Sequence, residues 1–269
     1  MDDLATVAEA AVAATRPILR ERFQGALDAE YTAGDVTTGA DRAAERAVIE
    51  VLDERRPTDP ISAEESGDHP GSGSVRWVVD PLDGTNNFAA GLPTFGAAVT
   101  AVEDGQPRAT AVDLPIVGDR YVATPEACRR NGDRVRVDDG DHLAVDRATV
   151  AVHIGTPVIE AIRGDGDLDT TFRAIVADTR ATTKRVIETW APVVHYAQCA
   201  RGRLDAVIEL HPDERERVAG DLLTRASGCV RRDAAPASVI ATHESLADRL
   251  ATIASDASAR SVALDQVDR

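Results

Sequence analysis

Apolar residues recur at helical spacing at the start of the chain and at strand spacing further along. Residues 2–24 carry apolar side chains every three to four positions, which predicts one long amphipathic helix. Residues 41–56 repeat that spacing and predict a second helix, which Pro57 ends. A short extended run follows at 61–65. The spacing then shortens, and four strands are predicted at 75–79, 95–102, 108–114 and 119–124.

The second half of the chain alternates between the two spacings. A strand-like run at 146–153 begins it, and a polar tail at 256–269 is predicted to fray. Between them the sequence predicts helices at 156–163, 168–177, 191–201, 216–227 and 244–255, and strands at 204–209 and 237–241. Strands interleaved with helices indicate an α/β arrangement. We therefore expect an N-terminal α+β subdomain, 1–143, and a C-terminal α/β subdomain, 144–269.

Charge narrows the classes of partner. The 269 residues are 43% hydrophobic, enough for a large core, and the formal net charge is −16. Such an excess of negative charge argues against nucleic acid or an anionic membrane as a partner. Lys184 is the only lysine. A hydrated acidic surface of this kind indicates a salt-adapted cytoplasm, and we predict a halophilic archaeon. A GC-rich genome is the alternative, but it explains the Arg, Ala and Asp usage without the acidic excess.

The cysteines and the N-terminus suggest a cytoplasmic protein. Cys128, Cys199 and Cys229 are far apart in sequence and show no metal-ligand spacing, so we predict reduced thiols. The chain begins Met-Asp-Asp-Leu, which lacks the basic start of a signal peptide. No apolar run approaches the roughly 20 residues of a membrane span.

The segment Trp77–Phe88 carries the clearest chemistry. An apolar run leads to Asp80 and Asp83, in a Pro/Gly turn that ends in the hydroxyl of Thr85. Carboxylates so close together repel each other unless a cation lies between them, and Mg²⁺ prefers oxygen ligands. Backbone N–H groups after Asp83 could hold an anion on that metal. The alternative is an ordinary turn, since Asp, Pro and Gly are common turn formers.

The order Asp-Pro-x-Asp-Gly-Thr resembles the metal-binding signature of the inositol monophosphatase family. That family includes inositol monophosphatases, archaeal fructose-1,6-bisphosphatases and bisphosphate nucleotidases. Further segments match it in order, at 35–41, 62–66 and 207–223. The resemblance implies a layered α/β/α/β/α sandwich and a homodimer.

The same resemblance implies a site for two or three Mg²⁺ ions. Glu64 and Asp80 would hold the first metal with the backbone carbonyl of Leu82. Asp80 and Asp83 would hold the second, which Glu216 would complete. Glu65 would lie just outside these ligands or support a third metal.

The resemblance also assigns the hydrolytic roles. Thr85 would orient a metal-activated water, with Asp41 accepting from its hydroxyl as the base. The N–H groups of Gly84 and Thr85 would bind the phosphate. For Asp41 a simple role as a helix N-cap is the alternative.

Two departures from the family pattern affect the ligands and the substrate wall. Arg215-Glu216 stands where the family has Trp-Asp, and Glu216 is one methylene longer than Asp. Glu216 could instead be a favourable first-turn acid of a helix, with Asp213 as substitute ligand. The run 190–193, Trp-Ala-Pro-Val, replaces Gly-Ser-Ala-Ala. We predict that Trp190 and Ala191 contact the substrate. The resemblance implies the same of Glu209, which matches the family's sugar- or inositol-binding Glu, and a charged residue at a strand end is the alternative.

These observations predict a Mg²⁺-dependent phosphomonoesterase that acts on a small phosphorylated polyol or sugar. Inositol 1-phosphate and fructose 1,6-bisphosphate are the leading substrates. One alternative is a 3′(2′),5′-bisphosphate nucleotidase, for which Lys184 and Arg185 could reach a second phosphate. Another is a catalytically degenerate member that binds a ligand or partner.

Overall fold

The computed structural model describes residues 3–25, 29–31, 36–137, 144–155 and 166–265. The chain divides into two units. The first contains Met1–Val135, Trp190–Ala197 and Glu214–Ser227, and the second contains Arg136–Thr189, Gln198–Asp213 and Gly228–Arg269. Two segments of the C-terminal half thus belong to the first unit, while the subdomain boundary near residue 143 stays a prediction.

An eight-stranded sheet forms the base of the first unit. Its strands are β3 (Ile61–Ala63), β4 (Asp68–His69), β5 (Val75–Asp83), β6 (Gly96–Glu103), β7 (Gln106–Leu114), β8 (Asp119–Thr124), β9 (Ala127–Arg130) and β10 (Asp133–Val135). Their spatial order is β10-β9-β8-β7-β6-β5-β3-β4. Only β3 and β5 run parallel. A separate hairpin joins β1 (Ala29–Tyr31) to β2 (Val36–Thr38).

Helices bury the apolar residues of this sheet. The first unit contains α1 (Leu4–Ala13), α2 (Thr15–Phe23), α3 (Gly39–Arg55), α4 (Thr85–Ala89), the first part of α6 (Pro192–Ala200) and α7 (Glu214–Ser227). α1 and α3 pack on β5, β6 and β7 through a cluster that includes Val7, Leu52 and Trp77. α7 contacts β5 through β9. This helix–sheet burial positions the loops after β3 and β5.

The single helix predicted at 2–24 is wrong: two helices meet at Ala14. Pro17 lies in the first turn of α2, where its missing N–H is tolerated, but it cannot donate to the preceding turn. The Thr15 hydroxyl instead bonds the carbonyl of Val12 at 2.8 Å. The chain therefore breaks once and restarts before the proline.

The second unit is a five-stranded sheet covered by two long helices. It contains a short 3₁₀ turn (Val145–Arg147), β11 (Thr149–Ile154), α5 (Gly166–Thr182), β12 (Arg185–Ile187), β13 (Ala206–Leu210), β14 (Val230–Ala234), β15 (Ala237–Ala241) and α8 (Glu244–Asp265). The strand order is β12-β11-β13-β15-β14, with β11 parallel to both neighbours. α5 and α8 pack against each other and share one apolar cluster with the sheet.

The predicted mixed α/β class is confirmed by these sheets and helices. The helix predicted at 156–163 lies outside the described residues. The frayed tail is wrong as far as Asp265, because α8 continues to that residue. Ile253, Ala254 and Ala257 keep the helical apolar spacing and are buried. No helix within the described ranges combines the length and apolar character needed to cross a membrane.

Candidate active site

The two aspartates of the opening motif lie at the irregular end of β5. Pairing with β6 is regular from Val75 to Asp80 and resumes only at Asp83, where the register has shifted. In a regular strand, residues three apart face opposite sides of the sheet, and a bulge relieves that constraint. Both side chains are about 5% exposed. The strand thus extends four residues beyond its predicted end and brings both carboxylates into one region.

Gly84 makes the turn that follows. Its φ is +85°, in the left-handed region. A Cβ at this position would lie 3.0 Å from the carbonyl oxygen of Thr94 and 3.1 Å from the Cβ of Ala191. Both the conformation and the close approach require glycine. The turn leads directly into α4, whose first residue is Thr85.

Thr85 and Asp41 are hydrogen-bonded, as the assigned roles require. The Thr85 hydroxyl lies 2.9 Å from Oδ1 of Asp41 and 2.8 Å from the carbonyl oxygen of Leu82. Its single hydrogen can serve one of these two acceptors at a time. A proton can therefore pass from Thr85 to the Asp41 carboxylate without any rearrangement of the backbone.

Asp41 is held by the start of α3. Thr38, not Asp41, is the N-cap, and Asp41 completes a capping box as the third helical residue. Its Oδ2 accepts from the Thr38 N–H at 2.7 Å and from the Thr38 hydroxyl. Burial raises the pKa of Asp41, and hydrogen bonds from Thr38 and Thr85 oppose the rise. The Oδ1 atom is left to face Thr85.

Glu45 was missed by the sequence analysis and fixes the loop after β3. It lies one turn beyond Asp41 on α3 and is 2% exposed. Its two carboxylate oxygens accept from the N–H groups of Glu65 and Ser66, at 2.7 and 2.9 Å. Because these are charge-assisted bonds to consecutive peptides, they set the direction of the backbone that carries Glu64. Its i+4 spacing from Asp41 was the available sequence signal.

Glu65 itself points toward a cation. Its carboxylate lies 3.9 Å from Nε of Arg42, and Arg42 also pairs with Glu30 at 2.7 Å. The assignment of Glu65 to the metal site or its surroundings stays a prediction.

Glu64, Asp80, Asp83 and Glu216 form one electrostatic cluster within the first unit. Loss of hydration raises the pKa of Glu64 well above its usual range, and Asp80 adds to the rise while Arg215 opposes it. The surface of Glu64 is nonetheless exposed, so the negative charge of Asp80 is the firmer of these two causes. Burial also raises the pKa of Asp83 well above its usual range, and the negative charges of Asp80 and then Glu216 add to that rise. Four mutually repelling carboxylates with one nearby arginine are a donor set that suits a hard divalent cation.

In the described part of the chain, no three Asp, Glu, His or Cys side chains already converge on one metal position. One carboxylate oxygen of Asp83 has a protein partner instead, because its Oδ2 accepts from the N–H of Val193 at 2.9 Å. The donor chemistry fits Mg²⁺. Which carboxylates bind it stays a prediction.

The altered turn before α6 lies against the glycine turn. The carbonyl oxygen of Trp190 would be 3.3 Å from a Cβ on Gly84, and Ala191 is fully buried. Pro192 is the first residue of α6, one position after the predicted start, where its missing N–H is tolerated. Val193 donates the N–H that Asp83 accepts. The indole of Trp190 is 45% exposed. A large apolar side chain thus stands open to solvent at the turn next to the candidate phosphate loop.

Glu216 belongs to the first turn of α7, so its alternative role as a favourable helix-start acid is also available. Its influence on Asp83 places it in the acidic cluster. Arg215, at the position of the family's Trp, acts on Glu64. This departure places a cation near Glu64, a predicted metal ligand, at a position where the family pattern has none.

Glu209 lies in the second unit, in the middle of its sheet. It is 1% exposed and accepts from the Ser238 hydroxyl at 2.8 Å. Its carboxylate also pairs with Arg231 at 2.6 Å. These partners satisfy the carboxylate within the sheet, and its predicted contact with substrate stays a prediction. Asp213, the predicted substitute ligand, also belongs to this second unit.

Comparison with known proteins relates the whole chain to one group. A sequence model described as the inositol monophosphatase family matches residues 1–263. The Nus factor SuhB of Salmonella typhimurium is 32% identical over 206 residues, which are 74% of this chain and 72% of that protein.

Solved structures extend the likeness to the fold. The suhB protein of Bartonella henselae superposes with a TM-score of 0.81 at 21% identity and covers 93% of this chain and 97% of its own. The Thermotoga maritima IMPase gives 0.78 at 20% identity, covering 93% and 96%. The MJ0109 product, titled inositol monophosphatase–fructose 1,6-bisphosphatase, gives 0.72 at 18%, covering 95% and 100%. The predicted inositol monophosphatase/fructose bisphosphatase fold is thereby confirmed.

Proposed function

The chain belongs to the inositol monophosphatase family, a family of phosphoric monoester hydrolases, and from that premise we propose a Mg²⁺-dependent phosphomonoesterase of small phosphorylated polyols or sugars. Inositol 1-phosphate and fructose 1,6-bisphosphate remain the leading substrates. The observation that carries the proposal is the Thr85–Asp41 hydrogen bond beside the cluster of Glu64, Asp80 and Asp83. It joins a proton acceptor to a set of metal-binding oxygens.

Glu64, Asp80 and the Leu82 carbonyl would hold one Mg²⁺, and Asp80, Asp83 and Glu216 a second. When bound, the metal supplies Lewis-acid stabilisation of phosphate charge and a lowered water pKa. Thr85 orients the attacking water. The Thr85 hydroxyl hydrogen moves to Oδ1 of Asp41 as its oxygen takes the proton from the water. The N–H groups of Gly84 and Thr85 bind the phosphate.

Phosphate release tests this proposal directly. The protein is assayed in molar salt with inositol 1-phosphate, fructose 1,6-bisphosphate and a 3′(2′),5′-bisphosphate nucleotide, each with Mg²⁺ or with a chelator. We expect turnover that requires Mg²⁺ and favours the polyol or sugar ester. Turnover that is equally fast with the chelator contradicts the metal mechanism, and preference for the nucleotide selects the bisphosphate nucleotidase.

Trp190 is expected to restrict the substrate. We predict that Trp190→Gly, which restores the residue typical of the family, raises kcat/KM for inositol 1-phosphate by about 10-fold. Without the indole, the turn can contact the ring hydroxyls of the substrate, which is worth roughly 1.4 kcal/mol. Trp190→Phe is the matched control and should change it little. Equal kcat/KM values in all three proteins would mean that the indole does not contact the substrate.

A binding role is the second candidate. The replacement of Trp-Asp by Arg215-Glu216 favours it, because the second metal site loses its usual ligand. The Salmonella relative is, moreover, named as a factor rather than as a hydrolase. That this chain has no nucleic-acid partner therefore stays a prediction. Independently of either function, we also propose that the protein is a homodimer, that it is cytoplasmic and that its source is adapted to salt.

A further inference from the structure

Two of the three cysteines, separated by 30 positions in the chain, meet in the second unit. The sulfur atoms of Cys199 and Cys229 are 3.8 Å apart, which is van der Waals contact. The Cys229 sulfur also lies 3.7 Å from the carbonyl oxygen of Cys199. Cys199 is in the last turn of α6, and Cys229 follows Gly228, the left-handed residue after α7. The contact joins the last turn of α6 to the residue that follows the Gly228 turn.

The two thiols differ in access. Cys199 is fully buried, whereas Cys229 is partly exposed. The contact with Cys229, and then burial, raise the pKa of the Cys199 thiol well above its usual range. A reagent in solution therefore meets Cys229 first, and Cys199 can act only on a partner already attached to its neighbour.

We propose that Cys199 and Cys229 are a dithiol site that small-molecule disulfides oxidise reversibly to an intramolecular disulfide. The sulfurs need to approach only from contact distance to the bond length of about 2.05 Å. Rotation about the Cys229 side chain, next to a glycine, can supply that movement. The bond closes a loop of the chain that runs from Cys199 to Cys229.

The exchange balances without any other reactant. The Cys229 thiolate attacks one sulfur of the reagent disulfide, forms a mixed disulfide and releases one reagent thiolate. Cys199 then loses its proton to solvent or to that thiolate and attacks the Cys229 sulfur, which expels the second reagent thiolate. Two protein thiols are oxidised to one disulfide, and one reagent disulfide is reduced to two thiols.

Cys128 provides the internal control. It is fully buried in the first unit, on β9, whereas Cys199 and Cys229 belong to the second unit. Cys128→Ser should leave the dithiol intact, whereas Cys229→Ser removes it. Peptide mapping of the wild-type protein needs no variant and therefore remains informative if Cys229→Ser folds poorly.

The experiment incubates the full chain with oxidised glutathione, a linear disulfide, in molar salt, then alkylates free thiols and maps the peptides. We expect a linked Cys199–Cys229 peptide in the wild type and in Cys128→Ser, reversed by reduced dithiothreitol. Thermal unfolding should show Tm higher by roughly 5 to 10 °C in these oxidised proteins, because the loop is closed in the unfolded chain. Cys229→Ser should show neither change.

Several results would overturn the proposal. They are a mixed disulfide that persists on Cys229 while Cys199 is still alkylated, a bridge that includes Cys128, a bridge between two chains, and no loss of thiols. A Cys199–Cys229 bridge that leaves Tm unchanged contradicts the stabilisation expected from closing the loop. None of these readouts depends on phosphate hydrolysis, so the proposed enzymatic activity can fail or hold independently.

Discussion

Asp83→Asn is expected to lower the rate of Mg²⁺-dependent phosphate release by at least about 10³-fold, because losing a ligand of the second metal removes roughly 4 kcal/mol of transition-state stabilisation. The amide oxygen of asparagine can still accept the N–H of Val193, the 2.9 Å bond that fixes Asp83. The substitution also removes one of several buried charges that repel each other. The fold should therefore survive the loss of activity.

Metal binding gives a readout apart from catalysis. Mg²⁺ should raise the Tm of the wild-type protein, because it binds only the folded state, and this increase should shrink or vanish in Asp83→Asn. Asp119→Asn is the matched control. Asp119 is also buried in the first unit, but it pairs with Arg130 at 2.7 Å rather than with the acidic cluster. It should keep both the activity and the Mg²⁺ response.

Equal phosphate release by the wild type and Asp83→Asn would contradict the enzymatic mechanism and favour the binding role. If both proteins are inactive but only the wild type responds to Mg²⁺, the carboxylate cluster holds a metal and the substrate choice is at fault. The two measurements together separate an error about the metal from an error about the substrate.

Glu45→Ala is expected to lower the free energy of unfolding by about 2–4 kcal/mol, because two backbone N–H groups lose charge-assisted partners. Both bonds, to Glu65 and Ser66, are shorter than 3 Å. Denaturant unfolding measures the loss. Glu50→Ala is the matched control on the same helix: Glu50 is exposed, and its replacement should change stability by less than about 0.5 kcal/mol.

The Mg²⁺ dependence of activity distinguishes a positioning role of Glu45 from a role in stability alone. Because Glu45 sets the backbone that carries Glu64, we expect the Mg²⁺ concentration for half-maximal activity to rise about 10- to 100-fold in Glu45→Ala, under conditions where the variant is folded. Glu45→Gln, which keeps one acceptor oxygen, should fall between. An unchanged Mg²⁺ requirement together with the full stability loss would show that Glu45 supports the fold without positioning the metal ligand.

Motif spacing located much of the candidate site. The spacing of Asp80 and Asp83 in a Pro/Gly turn predicted a cation site from residue types, because two close carboxylates repel each other, and the resemblance of Asp-Pro-x-Asp-Gly-Thr to the family signature added the role of Thr85. The link from Asp41 to Thr85 was an expectation of the resemblance, and the 2.9 Å bond agrees with it. The apolar spacing alone predicted one helix at 2–24, but the chain forms two helices that meet at Ala14. Pro17 interrupts a helical face that is otherwise continuous.

Contacts distant in sequence could not be read from the pattern. Glu45 looked like one more charged residue on a helix, since its partners are peptide groups about twenty positions away. The Val193 N–H that binds Asp83 carries no side-chain signal at all, and its partner is 110 positions away. Such bonds depend on how elements pack, which residue type does not specify.

The sequence by itself determined the family, the mixed α/β class and the acid-rich turn, because these rest on local periodicity and on residue types in fixed order. The tertiary structure alone decided that the strand runs on through Asp83 with a register shift, that Glu45 secures the loop carrying Glu64, and that Cys199 meets Cys229. The physical reason is the same each time. Residue types and their order are given by the sequence, whereas residues distant in the chain come into contact only when burial of the apolar faces brings their segments together.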